Sequence, residues 1–207
     1  EEILKKGIDR LKANKEFSII ETNYDVKGYI EVQIEYDKKR YEVGFYLGDI
    51  CVPEYYLTHH FFFDREEKES LLNAKKAVTI FMEFGNDSKK SFHLQLKIAT
   101  TLVPDLIGVM DESGEKMMPK KWVLMTAESK TLPSARDLFT VQAVQGKHNK
   151  VWLHTHGLCR CHLTELEILD SDQEHFEQHY NLLSTYAMYL IDKNGSVNPF
   201  ESAYIGR

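Results

Sequence analysis

Two runs of strict alternation constrain this chain more than anything else in it. Ile30, Val32, Ile34 and Tyr36 alternate with Glu31, Gln33 and Glu35. After Asp37-Lys38-Lys39, Tyr41, Val43, Phe45 and Leu47 alternate with Glu42, Gly44 and Tyr46. A period of two sends apolar side chains to one face of an extended chain. Two such runs around a short polar break predict a β-hairpin with one buried and one solvated face. A hairpin needs something to cover its apolar face, and the flanking sequence offers it. Ile3, Leu4, Ile8 and Leu11 fall at helical spacing over 1–13. Phe17–Thr22 is a short β-rich run, Glu66–Lys76 a charged helix, and Val78, Ile80, Met82 and Phe84 another alternating strand. Residues 89–103 fit either period, but their length and the preceding Asn86-Asp87-Ser88 cap favour a helix that Pro104 ends.

The second half opens at Pro104. Leu106–Asp111 and Lys116–Met118 read as strands around Ser113-Gly114, and Pro119 suits the first turn of a helix through Met125 and Thr126. Leu138–Gln145, Lys150–Thr155 and Glu165–Leu169 read as three further strands. Asp170-Ser171-Asp172 offers helix-capping chemistry, and Asn194-Gly195 stops a helix striped by Phe176, Tyr180, Leu183, Ala187, Leu190 and Ile191. Helices and hairpins mix throughout. The expected class is α+β, with mixed, mainly antiparallel sheets flanked by amphipathic helices. Two closely packed halves are expected, over 1–103 and 104–207.

Composition removes several functions. With 207 residues, 43% of them hydrophobic, the chain is large enough to bury a core. A net charge of −6 with scattered Lys and Arg gives no electrostatic footprint for nucleic acid. No apolar run has the length of a membrane span. Cys51 stands alone, and Cys159 and Cys161 are one residue apart, so no disulfide framework is expected. Thiols without an export signal at Glu1–Lys6 point to the cytoplasm. The missing initiator Met and the apolar residues before Arg207 lead to the expectation of a longer native chain.

Reactive side chains concentrate in Val151–His162, which holds three histidines and two of the three cysteines. On an extended strand Trp152, His154 and His156 share a face, and Gly157 can then turn the chain. His154, His156, Cys159 and Cys161 form a candidate zinc set, though one more crowded than two separated ligand pairs. Alternatively, Cys159 or Cys161 is a nucleophile with His154, His156 or His162 as base and Glu165 or Glu167 as the orienting carboxylate. A purely structural account has the histidines bonding backbone at a sheet end, the cysteines buried, and Trp152, Leu153 and Leu158 in the core. Two other histidine pairs carry less. His59 and His60 are adjacent and point apart. His175 and His179 lie one helical turn apart, but HFEQH lacks the H-E-x-x-H arrangement. The aromatic stretch with Tyr55, Tyr56, Phe61, Phe62 and Phe63 reads as cover for a sheet edge.

The run VWLHTHGLCRCHLTELEILDSD, preceded by DLFTVQAVQ and further upstream by PDLIGVMDESGEKMMPKKWV, resembles a bacterial family of unknown function. Its members carry a strand ending in HTHGL, a turn, and a strand of the form L-x-E-L-E-I. The resemblance spans 91–207 and implies a soluble bacterial protein longer than this chain. It implies no activity. Related motifs have other residues where Cys159 or Cys161 stands, which leaves His154, His156 and Gly157 as the characteristic element.

The absence of a phosphate-binding glycine loop, a nucleophile elbow and a complete metal signature makes a non-catalytic protein- or ligand-binding module the leading expectation. No cofactor is expected, with zinc as the candidate if there is one. The rival is a metal- or thiol-dependent hydrolase centred on HTHGLCRC. A third reading is a scaffold whose partner is another protein or a further domain of the same chain.

Overall fold

A computed structural model of the protein describes residues 2–24, 28–58 and 60–195. The expectations for His59 and for the segment 196–207 lie outside these residues. The element order is α1 (Glu2–Ala13), β1 (Ser18–Tyr24), β2 (Tyr29–Tyr36), β3 (Lys39–Asp49), α2 (Arg65–Leu72), β4 (Lys76–Met82), α3 (Ser88–Leu102), β5 (Gly108–Asp111), β6 (Lys116–Pro119), α4 (Lys120–Glu128), β7 (Thr140–Gln145), β8 (Val151–His156), β9 (Glu167–Ser171) and α5 (Phe176–Lys193). Every strand pairing among the described residues is antiparallel. The fold is α+β. No helix among the described residues is long and apolar enough to cross a membrane.

The chain forms two compact units. One gathers Glu1–Gly85, Lys90–Asp111 and Lys116–Leu132; the other gathers Asn86–Lys89, Glu112–Glu115 and Pro133–Arg207. In the first, β1-β2-β3-β4 form one sheet in sequence order. The alternating runs pair as expected: Ile30 faces Phe45, Val32 faces Val43, and Ile34 faces Tyr41. These six are buried together with Leu4, Ile8 and Leu11 of α1 and Leu94, Ile98 and Leu102 of α3. The periods of two and of 3.6 meet in one core, where burial of each large aliphatic side chain stabilises by about 1.5–3 kcal/mol. The aromatic stretch builds a second cluster, in which Tyr56 and Phe63 pack with Leu57, Leu71 and Met117. Phe62 points out, at 89% exposure.

In the second unit, β7-β8-β9 make a three-stranded sheet. Val151 and Leu153 of β8 are buried with Leu183 of α5, and Val141, Ile168, Phe176 and Tyr180 pack around them. One face of this small sheet is therefore the floor for α5, and the other carries the even-numbered residues of β8.

Several boundaries differ from the sequence expectation. The helix expected through Lys76 stops at Leu72, because Asn73 caps it and residues from Lys76 onward pair with Asp49 and its neighbours. The strand expected from Leu138 begins at Thr140, since a capping box on Ser134 and Asp137 holds 135–138 in a 3-10 turn. Pro119 is the N-cap of α4 and still pairs with Gly108. Asp172 caps a turn ahead of α5, accepting a bond from the His175 amide at 3.0 Å, and the helix proper starts at Phe176.

Candidate functional site

The twelve-residue histidine and cysteine segment becomes a strand, a glycine bend and a 3-10 turn. β8 pairs Thr140 with His156, Gln142 with His154 and Val144 with Trp152. The pleat sends Val151, Leu153 and Thr155 inward and Trp152, His154 and His156 outward, as strand phase requires. The outward rings lean on one another. Trp152 stacks on His154 with centroids 4.0 Å apart, and His154 meets His156 edge-on at 4.7 Å. Trp152 keeps 39% of its surface exposed, so it does not belong to the core in which the structural account places it. Its indole N–H donates to Glu167 Oε2 at 3.1 Å.

The far end of the ladder is closed by the turn 112–115. Thr140 Oγ1 donates to the Gly114 carbonyl at 2.7 Å, and Gln142 Nε2 donates to Glu115 Oε2 at 2.6 Å. The other carboxylate oxygen of Glu115 lies 3.4 Å from His156 Nδ1. Glu115 itself adopts a left-handed backbone, φ 47°. Burial, with His156 alongside, lowers the pKa of His154 and favours its neutral form. Two ring nitrogens, His154 Nδ1 and His156 Nε2, are buried without a hydrogen-bond partner among the described residues. Buried polar atoms are normally paired, so two neighbouring exceptions on one sheet face single it out.

Gly157 is fixed twice over. Its φ is +109°, and a Cβ there would stand 2.5 Å from the Leu138 carbonyl oxygen and 3.2 Å from Phe139 Cα. Glu165 then staples the bend. Its carboxylate accepts from Thr155 Oγ1 at 2.6 Å, from the Gly157 amide at 2.9 Å and from the Cys159 amide at 3.1 Å. Arg160 donates to the Leu138 carbonyl on the other side. Both carboxylates considered as orienting groups thus have other bonds: Glu165 holds the backbone turn, and Glu167 holds Trp152.

The cysteines diverge. They flank Arg160 in the 3-10 turn Cys159–Cys161, and two positions apart on a three-residue turn cannot share a direction. Cys159 is exposed and Cys161 buried. The Cys161 thiol is directed at the Gly157 carbonyl, 3.9 Å away, and burial raises its pKa. A thiol in that state is a poor nucleophile at neutral pH. His162 takes a left-handed conformation, φ 59°, as the cap of this turn. Among the described residues, no group of three or more His, Cys, Asp or Glu is arranged to hold a metal ion. The structure brings together His154, His156 and Trp152, adds Glu115 and Gln142, and separates Cys161 from that set. Glu115 carried no local signal in the sequence: it lies 41 positions from His156 and joins it only through a hairpin turn.

Elsewhere, His93 is buried and donates to the Thr126 carbonyl at 2.9 Å, a structural bond between α3 and α4. Lys116, fully buried, lies 3.7 Å from Asp111 within the β5–β6 hairpin.

An α+β architecture with a sheet face bearing a Trp-His-His ladder is thus the class of protein defined. The chain belongs to a family described as protein of unknown function (DUF4026): the N-terminal model of that family matches residues 2–133 and the C-terminal model residues 141–207. No curated protein and no solved structure matches it.

Proposed function

We propose that this protein is a non-catalytic binding module and that the outer face of β7-β8-β9 receives its ligand or a peptide segment of a partner. The observation that carries this reading is the pair of buried, unpartnered ring nitrogens, His154 Nδ1 and His156 Nε2, beside a half-exposed indole. A neutral imidazole has one donor and one acceptor, so an incoming polar group satisfies what the fold leaves open. Trp152 adds flat apolar area with a polar edge already oriented by Glu167. The few placed polar groups and the aromatic platform match the chemistry of recognition sites. The buried Cys161 thiol and the backbone-bonded Glu165 speak against a hydrolytic centre in the same segment.

The test is an NMR screen of the isotopically labelled chain against planar heteroaromatic fragments and short peptides. Binders should shift the Trp152 indole and the His154 and His156 ring signals together, and W152A or H154A should abolish the effect. Hits that cluster elsewhere, or that survive both substitutions, would remove the proposal.

A further inference from the structure

A second pair of histidines stands apart from the ladder, at the start of α5. His175 is the N-cap residue of α5 and His179 lies in its first turn, and their rings are stacked with centroids 5.9 Å apart and planes 28° from parallel. Each ring is anchored through the same nitrogen. His175 Nδ1 bonds Asp172 Oδ1 at 2.9 Å, and His179 Nδ1 bonds the hydroxyl of Ser171 at 2.9 Å. Ser171 is fully buried at the end of β9, so it is a rigid anchor. Asp172 accepts from His175 Nδ1 and so leaves Nε2 of that ring as a lone pair, and His179 presents Nε2 in the same way in the tautomer that donates from Nδ1 to the Ser171 hydroxyl. Metal-binding imidazoles are usually held this way, with the second nitrogen bonded to a carboxylate or another polar group that sets tautomer and orientation.

We propose that His175 and His179 form a two-imidazole site for a divalent transition-metal ion of the zinc type, with water completing the coordination. Imidazole nitrogen suits zinc, copper and nickel ions. The helix N-terminus opposes a cation there, and Lys150 lies 3.7 Å from Asp172. Against these stands the carboxylate of Asp172, bonded to His175 Nδ1. The site is open: side-chain exposure of His175 is 48%, so an ion can reach it without any opening of the fold.

The experiment is a Zn2+ titration of the full chain followed by imidazole nitrogen NMR. Nε2 of His175 and His179 should shift together and saturate at one equivalent, with the His154 and His156 signals unmoved. H175A and H179Q should each weaken binding at least tenfold. D172N should weaken it roughly tenfold, as loss of an outer-sphere partner does. Asn caps a turn as well as Asp does, so that loss would report the carboxylate rather than folding. The proposal fails if the two rings titrate independently, if single substitutions leave affinity unchanged, or if zinc moves the His154 and His156 rings or the thiols instead. The wild-type NMR result decides the matter even if a variant does not fold.

Discussion

Gly157 shows how a single residue sets the site. The chain must leave β8 at a φ of +109°, with the Leu138 carbonyl 2.5 Å from where a Cβ would be. Neither condition alone would demand glycine so strictly: strain at positive φ and steric overlap each destabilise by roughly 1–3 kcal/mol. Gly157→Ala should therefore lose about 2–4 kcal/mol in urea unfolding. A variant within about 0.5 kcal/mol of the parent, the range of an ordinary surface change, would show that the bend relaxes freely. That Gly157 turns the chain was legible from HTHGL. The reason it must be glycine was not, because Leu138, Phe139 and Gly114 approach from distant sequence. The same holds for Glu165. The sequence offers it as a partner for histidine, whereas the fold uses it to hold the backbone of the bend.

Among the elements, the β2–β3 hairpin was the most legible. Its alternation fixes which residues face inward, and a slip of one residue would turn Ile30, Val32 and Ile34 to solvent. The polar break Asp37-Lys38-Lys39 suggests three turn residues, whereas the turn is two, Asp37 and Lys38, with φ of 49° and 63°. Positive φ at both central positions is the geometry that suits the twist of paired strands, and it favours Asn-Gly over Asp-Lys. Asp37 is tied to Lys90 at 2.7 Å. Lys38→Gly should consequently stabilise the protein by about 0.5–1 kcal/mol, since the roughly 1–2 kcal/mol left-handed penalty of a side chain exceeds the roughly 0.5–1 kcal/mol of extra backbone entropy that glycine loses. Equilibrium unfolding against the parent measures it, and a loss of stability would mean that Lys38 makes a contribution beyond its backbone. Helix ends were less legible. Propensity continues past Leu72, but Asn73 caps the helix and pairing with β3 claims the residues from Lys76.

For the molecule as a whole, titratable groups in both units bound the range of stability. His93 in the first unit and His154 in the second have pKa values lowered from 6.5 chiefly by burial. His156, Glu115, Glu167 and Glu165 surround His154, and Lys97 and Glu16 act on His93. As pH falls through 6.5, the unfolded chain takes up protons that the folded chain refuses. The stability contributed by these groups is complete above that value and is lost on acidification toward their folded-state values. Cys161 acts at the other limit. Its pKa is raised from 9.0, so its contribution holds below 9.0 and is lost as pH rises beyond it. Unfolding midpoints measured from pH 5 to 10 should show a plateau between about 6.5 and 9. H154Q and H93Q should each flatten the acid limb, and C161A the alkaline limb. An acid limb unchanged in H154Q would show that the ladder is not what excludes the proton.

The sequence by itself determined the α+β class, the hairpin with its buried residues, and the common face of Trp152, His154 and His156. Each of these follows from a backbone period that acts over neighbouring residues. Only the tertiary structure decided that α5 covers the opposite face, that Glu115 and Gln142 join the ladder, and that Cys161 turns away from it. Those outcomes depend on which distant segments meet, and no local period encodes that. The two unpartnered ring nitrogens arise at that level, where a strand readable from the sequence meets a turn that arrives from elsewhere in the chain.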